Sequence, residues 1–369
     1  MGRTGGPGPA GHRGGLVISL DFELAWGVHD SAGSDGPYRK NLLGAREVVP
    51  RLLDLFAELD VHATWATVGF LFAGSREELE HFSPSLKPSY LDPRRDPYRI
   101  EIGPDERGDP LHFGQSLVRL IASAPGQELA SHTFSHYYCL EEGQSFEEFG
   151  ADLEAAQAIA RSLGSTLTSL VLPRHQNRPD YLPAIAAAGF TTYRSNEANW
   201  LNRPATTHSR IPFRRAMRLL DSYCSVTGAN AVPWVSTLPD SYGLVDVRES
   251  RFLRPVGPHV VGLEEMRYQR VANAMREAAR SGTLFHLWWH PHNFGASPDE
   301  NLRHLGRLLQ LRKGLYEEHG FESFNMGQVD ELVRSASFPL SVGGALGTEP
   351  VEAVTAAARA AATSGEVAG

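Results

Sequence analysis

Short apolar runs alternate along the chain with longer segments in which apolar residues recur every three or four positions. The runs predict eight strands, at residues 16–24, 62–72, 128–134, 169–174, 189–195, 243–247, 283–289 and 321–325. Most are nearly continuous in apolar character, which is typical of parallel strands covered on both faces. The clearest helical patterns fall at residues 48–59, 146–163, 263–280 and 298–318. This alternation predicts an α/β fold built as a barrel-like (β/α) domain.

The same pattern divides the chain into one domain and two tails. Residues 15–335 carry the alternation and form the predicted domain, whereas residues 1–14 read as a disordered N-terminal tail and residues 336–369 as a low-complexity C-terminal tail. Two Pro-rich stretches, at residues 83–110 and 202–239, interrupt the rhythm and are long for structureless loops. Insertions of this kind often form lids or substrate walls.

Composition and charge narrow the class of protein. With 369 residues, of which 41% are hydrophobic, and with 35 Lys and Arg against 43 Asp and Glu, the chain is globular and carries a net charge of −8. The sequence has no cluster of Lys and Arg residues of the kind that binds the phosphates of nucleic acid. Cys139 and Cys224 lack a CxxC context, which favours free thiols in a reducing compartment. With no secretory signal pattern and no apolar run near the roughly 18–20 residues of a membrane span, we expect a soluble cytoplasmic protein.

Two motifs at predicted strand ends carry groups that bind metals. Asp21 and Glu23 close the first strand, and residues at i and i+2 share a face there, although an isolated pair of this kind is more often solvated. His132 and His136 follow the third strand as an HxxxH motif, a spacing that lets two imidazoles reach one zinc or similar divalent ion. Alone, HxxxH is equally compatible with ordinary polar residues at a helix start.

Further candidates follow other strands. His290 stands before Pro291 at the end of an apolar strand, where an imidazole suits general acid–base chemistry or simple packing. Arg174 ends another strand and has the geometry to pair with a carboxylate. Trp26, Trp200 and Trp289, and also Trp288, lie near these ends and are candidates to stack on apolar sugar faces, a role that is less common than packing.

Taken in order, these segments resemble the motifs of the polysaccharide deacetylase family, the NodB-homology domains of carbohydrate esterase family 4. The segments 131–136 (SHTFSH) and 287–291 (LWWHP) carry the similarity most closely. The resemblance spans roughly residues 15–335. It implies a distorted, TIM-like (β/α)7 barrel that holds one divalent metal ion, commonly zinc, and removes an acyl group from an N-acylated sugar.

The resemblance also implies roles for individual residues. His132 and His136 are similar to the two metal-binding histidines, Asp21 to the catalytic base, Arg174 to the arginine that pairs with this base, and His290 to the general acid. The family has two adjacent Asp residues where this chain has Asp21 and Phe22. Glu23 is the natural substitute for the third ligand, although Asp21 stays an alternative.

Three functions remain open from the sequence. The first is a deacetylase of a sugar or glycan precursor, in which a metal-activated water attacks the acyl carbonyl, an Asp accepts its proton and a His protonates the leaving amine. The second is a hydrolase of a small non-sugar amide at the same site. The third is a non-catalytic sugar-binding protein on the same barrel. Neither nucleic acid nor a transmembrane segment is expected, and the oligomeric state is left open.

Overall fold

The computed structural model describes residues 13–31, 36–197, 217, 220–221, 223, 226–256 and 261–335. These residues contain nine strands. They are β1 (Gly15–Phe22), β2 (Ala63–Thr67), β3 (Gln127–Ser131), β4 (Ser169–Val171), β5 (Thr192–Arg194), β6 (Val245–Asp246), β7 (Arg251–Phe252), β8 (Leu284–Trp289) and β9 (Glu322–Phe324).

The helices in the same ranges follow the strands as the alternation predicts. They are α1 (Arg39–Glu58), α2 (Arg76–Phe82), α3 (Gln115–Ser123), α4 (Phe146–Ser162), α5 (Leu182–Ala187), α6 (Val261–Ser281), α7 (Pro291–Phe294), α8 (Pro298–His319) and α9 (Met326–Arg334). α8 begins with Ser297 as N-cap and Pro298 in the first turn, where the fixed φ of proline suits a helix start. None of the helices in these ranges is long and apolar enough to cross a bilayer.

The strands form one parallel sheet in the order β6-β5-β4-β3-β2-β1-β8-β7, and β9 pairs with β1 beside this path. This is the predicted α/β architecture, a distorted TIM-like barrel. Within the described part of the chain, no ladder joins β6 to β7. Since every strand runs in the same direction, the strand ends that carry the candidate residues gather at one edge.

Alternation along the strands separates a helix-facing surface from the barrel interior. Leu16, Ile18 and Leu20 of β1 belong to the main apolar core against the helices. Ser19 lies between them on the other face, where its hydroxyl is 2.8 Å from Nε2 of the buried His286. Nδ1 of His286 lies 2.9 Å from a backbone carbonyl, so this imidazole is a satisfied core group.

Some predicted boundaries were wrong. The strand expected at residues 62–72 stops at Thr67 because residues 69–72 turn into a 3-10 helix, where Gly69 N–H donates to the Thr133 carbonyl at 2.9 Å. The two-residue strand β7 is too short to give a periodic signal. The expected tails lie outside the described residues except for 13–14, as does most of the first half of the 202–239 insertion.

The insertion at 83–110 is described in full and packs against the histidine motif. It contains two 3-10 turns, Pro93–Arg95 and Pro97–Arg99. The Tyr90 hydroxyl accepts a hydrogen bond of 2.7 Å from the backbone N–H of Tyr138, just after the HxxxH segment. The 83–110 insertion therefore packs beside the strand ends that carry the candidate residues. Cys139 next to it is a buried free cysteine, while Cys224 lies outside the described residues.

Candidate active site

Glu23, His132 and His136 come together at the carboxyl-terminal edge of the sheet, as the sequence predicts. Glu23 Oε2 lies 3.0 Å from His136 Nε2 and 3.3 Å from His132 Nε2. One ligand atom from each of the three side chains lies within 4.8 Å of the others, and all three residues are buried. In the described part of the chain, this is the one group of three or more such residues placed to hold a metal ion.

The histidine loop owes its shape to a buried carboxylate. Thr133 and His136 adopt positive φ angles of 62° and 59°, which L-residues rarely favour. Asp152 of α4 accepts hydrogen bonds from the backbone N–H groups of Phe134 at 2.6 Å and Ser135 at 3.1 Å, and also from the Ser135 hydroxyl. These bonds hold the turn in the conformation that directs both imidazoles towards Glu23.

The hydrogen bonding of His132 tests whether a cation fits this cluster. Its Nδ1 lies 2.9 Å from the Val171 carbonyl oxygen, which only accepts, so Nδ1 donates a hydrogen bond there. Nε2 is then the ring nitrogen left to bind a cation, and it faces the Glu23 carboxylate. Four-coordinate zinc with bonds of about 2.0–2.1 Å separates its ligand atoms by about 3.3 Å, close to the distances here. The donor set therefore fits a divalent cation such as zinc.

Glu23 reaches the histidines because of the glycine that follows one turn later. The side chain folds back over Gly27, and a Cβ built on Gly27 would stand 1.9 Å from both Cδ and Oε1 of Glu23. Any other residue at this position would occupy the space of the carboxylate. The spacing between Glu23 and Gly27 thus accommodates the longer side chain in place of the second Asp of the family pattern.

Asp21 lies inside the barrel and is held by an arginine. Its two oxygens each accept a hydrogen bond of 2.8 Å from the Arg194 guanidinium, which also donates to the Ser19 hydroxyl at 2.8 Å. Burial by itself would raise the pKa of Asp21, but the adjacent Arg194 guanidinium, together with His132 and His290, outweighs it and holds the pKa well below its usual range. Asp21 is therefore ionised at neutral pH.

The expectation that Arg174 pairs with this carboxylate was wrong. Arg174 adopts a positive φ of 53°, forms an ion pair with Asp30 and lies over the Tyr138 ring at 4.4 Å. Arg194, at the end of β5, pairs with Asp21 in place of Arg174. An arginine within a predicted strand was the signal available for Arg194, since a buried guanidinium requires a carboxylate partner.

His290 lies between the two acidic side chains. Its Nε2 is 3.5 Å from Glu23 Oε1 and 3.9 Å from Asp21 Oδ2. Its Nδ1 is 3.1 Å from Asn293 Oδ1, and the Asn293 amide donates to the Tyr38 hydroxyl at 3.1 Å, which leaves the amide oxygen for the ring. The imidazole therefore directs Nε2 to the site through a fixed chain of hydrogen bonds.

Trp26 and Trp289, two of the tryptophans expected to contact substrate, are buried in the core. Trp26 is 1% exposed, donates to the His112 carbonyl at 2.9 Å and packs on Phe70, while Trp289 is 0% exposed. Trp289 belongs to the helix-facing core of β8, because alternation directs its neighbour Trp288 into the barrel instead. Both expectations were therefore wrong. Trp200 lies outside the described residues.

The fold and the site together are those of an α/β barrel with an acid–histidine cluster at its strand ends. The model of the polysaccharide deacetylase family matches residues 34–193, so this part of the chain is similar to that family. The matched range includes His132 and His136. Asp21, Glu23 and His290 lie outside it, so their assignment depends on the geometry above.

The chain is similar to several solved structures. A candidate polysaccharide deacetylase from Mycobacterium smegmatis is 15% identical, with 93% of this chain and 96% of that chain covered and a TM-score of 0.54. One from Pseudomonas aeruginosa PAO1 is 14% identical, with 89% and 93% covered and a TM-score of 0.48. PuuE allantoinase is 13% identical, with 89% and 93% covered and a TM-score of 0.47. No curated protein matches the chain.

Proposed function

We propose that the chain is a metal-dependent N-deacetylase of an acetylated carbohydrate, with Glu23, His132 and His136 as the ligands of one divalent cation, zinc in the first instance. The observation that carries the proposal is the convergence of three buried ligand atoms in the cluster. One atom each from Glu23, His132 and His136 lies within 4.8 Å of the others, and Glu23 Oε2 is 3.3 Å from His132 Nε2. This donor set and spacing suit a divalent cation bound between the three side chains.

Asp21 is the base in this proposal. A divalent cation bound at the cluster supplies positive charge that polarises an acyl carbonyl and makes a water molecule more acidic. Arg194 keeps the neighbouring Asp21 carboxylate ionised and fixes both of its oxygens in place. The ionised carboxylate then accepts the proton that the attacking water releases.

His290 is the acid that completes the reaction. An amine leaves poorly as an anion, so the departing nitrogen requires a proton. His290 Nε2 faces the same space as the two carboxylates, and its opposite nitrogen is anchored on Asn293. A protonated His290 holds its proton on Nε2 at the position where the leaving nitrogen emerges.

The experiment measures acetate release from N,N′-diacetylchitobiose by the zinc-loaded protein. Replacing Asp21→Asn should lower kcat by roughly 10²- to 10⁴-fold, the usual contribution of a general base. Asp54→Asn, at an exposed acid on α1, is the matched control and should have no effect. Normal turnover in Asp21→Asn would show that another group is the base.

Metal content separates the enzyme from a binding protein on the same barrel. The purified protein is expected to hold close to one divalent ion per chain, and His132→Ala to hold none, because one of three ligands is lost. Parallel assays with small non-sugar amides then compare the two hydrolase functions. A protein that binds no divalent ion under metal-replete conditions would favour the non-catalytic function.

A further inference from the structure

A second histidine–carboxylate pair lies beside the candidate active site. His175 Nδ1 is 3.2 Å from Glu249 Oε2. His175 follows β4 and Glu249 follows β6, so both lie at the same edge of the sheet as Asp21 and the metal ligands. The Trp288 ring packs against His175, against His290 and against the Arg194 guanidinium, which links the pair to the site. The mechanism above gives this pair no task.

The backbone holds His175 in an unfavourable conformation. Arg174 and His175 are consecutive non-glycine residues with φ angles of 53° and 54°. Strained residues of this kind persist where surrounding contacts over-determine them, and they cluster at functional sites. Here the Trp288 ring packs against the imidazole with centroids 4.4 Å apart, which fixes the plane of the ring.

A buried polar atom beside the pair has no protein partner. Among the described residues, Trp288 Nε1 has no hydrogen-bond partner, although the atom is buried and its ring packs against His175. The His175 side chain is 20% exposed, while that of Glu249 is 4% exposed. Solvent or a ligand therefore approaches the pair through His175. Buried polar atoms without partners are rare in native structures and often mark a place for a ligand.

The charge state suits a neutral ligand that both donates and accepts hydrogen bonds. Burial lowers the pKa of His175, so its imidazole is neutral and has one donor and one acceptor nitrogen. Burial likewise raises the pKa of Glu249, against the opposing effect of Arg194. A hydroxyl group has the matching combination of one donor and two lone pairs, whereas a carboxylate or phosphate has acceptors only.

We propose that His175, positioned by Glu249, forms a hydroxyl-binding subsite that selects substrates carrying hydroxyl groups beside the N-acyl group. The inference rests on the proposed function and deepens it, since it favours a sugar over a small non-sugar amide. His175 would contact the substrate directly. Glu249 is a positioning residue that acts through the imidazole.

The test compares two probes in the zinc-loaded protein. N,N′-diacetylchitobiose carries hydroxyl groups, and 4-nitrophenyl acetate has none. We expect His175→Ala to lower kcat/KM for the chitobiose roughly 10-fold or more, because hydrogen bonds to a substrate hydroxyl are lost, while ester hydrolysis changes less than about twofold. Glu249→Gln should also lower kcat/KM for the chitobiose relative to kcat/KM for 4-nitrophenyl acetate. His175→Asn should recover part of the chitobiose activity that His175→Ala loses.

The control is His62→Gln. His62 lies at the opposite edge of the sheet, with Nδ1 2.8 Å from Gln328 Oε1, and its replacement should leave both probes unchanged. Equal losses on the two probes in His175→Ala would overturn the subsite, because a general structural defect acts on both. Thermal unfolding of each variant identifies such a defect independently.

Failure of the proposed function is distinguishable from failure of the subsite. If the wild type shows no hydrolysis of either probe that depends on Asp21, the proposed function fails. The subsite is then decided by saturation-transfer NMR of N,N′-diacetylchitobiose with the metal-free protein. Contact signals that disappear in His175→Ala support the subsite, whereas signals equal in the two proteins contradict it.

Discussion

Replacing Gly27 by alanine should disable the metal centre without altering any ligand. The added Cβ would stand 1.9 Å from the Glu23 carboxylate, and Cβ contacts under 3.0 Å are essentially never seen. The carboxylate must therefore move by at least 1.1 Å, the difference between these two distances. Metal–ligand distances tolerate only about 0.2 Å. Glu23 would be lost as a ligand.

The expected size of the effect follows from the loss of one ligand in three. Perturbing even the groups that orient a ligand weakens metal binding by about 10- to 100-fold, so displacement of the ligand itself should raise the zinc Kd by roughly 100-fold or more. This corresponds to about 2.7 kcal/mol. The assay is a calorimetric titration of zinc into the metal-free protein, with a competing chelator if binding is tight.

Gly314→Ala is the matched control. A Cβ on Gly314 meets no atom within 4 Å, and the residue lies within α8. We expect unchanged zinc affinity and about 0.5–1 kcal/mol of added stability, since alanine is the better helix former. An unchanged zinc Kd in Gly27→Ala, in a protein that unfolds at the normal temperature, would refute the placement of Glu23.

Three further predictions concern the groups around the centre. Arg194→Met should cost about 3–5 kcal/mol in urea unfolding, because it leaves the buried Asp21 charge unpaired; a cost below about 1 kcal/mol would contradict the pair. Asp152→Asn should lower stability by about 1–3 kcal/mol and weaken zinc binding, since the histidine turn loses acceptors; calorimetry with unchanged zinc affinity would show that the turn holds without it. Asp109 makes the free energy of unfolding depend on pH. Burial would raise the pKa of Asp109, but the His112 ring and backbone N–H groups lower it to about 2. Its folded-state pKa is thus below the usual value of about 3.9, so Asp109→Asn should cost about 2 kcal/mol at pH 7, and unfolding at lower pH should show this cost shrinking between about pH 4 and pH 2; a cost independent of pH would contradict the assignment.

Local patterns were sufficient for most of the fold. Apolar runs fix where parallel strands form, and β1, β3 and β8 lie where continuous apolar segments predict them. The strand-end motifs then meet because all strands run in the same direction. For this reason the Glu23, His132 and His136 cluster was predictable, although these residues come from two distant segments of the chain.

Contacts across the barrel interior were not predictable in the same way. Arg194 contacts Asp21 because both side chains point into the barrel, from β5 and from β1. The two residues are 173 positions apart in the sequence. Neither the motif order nor local periodicity reports this approach. The prediction that Trp289 contacts substrate failed for a simpler reason. Alternation counted from the buried His286 directs Trp288 into the barrel and Trp289 towards the helices.

The most direct test of the central claim is an anomalous difference map at the zinc edge from crystals grown with zinc. The account predicts one strong peak at about 2.0–2.2 Å from Glu23 Oε2, His132 Nε2 and His136 Nε2, with the Asp21 carboxylate beside it and still paired with Arg194. A map with no peak there, or with zinc bound only elsewhere, would contradict the claim that these three side chains form the metal centre.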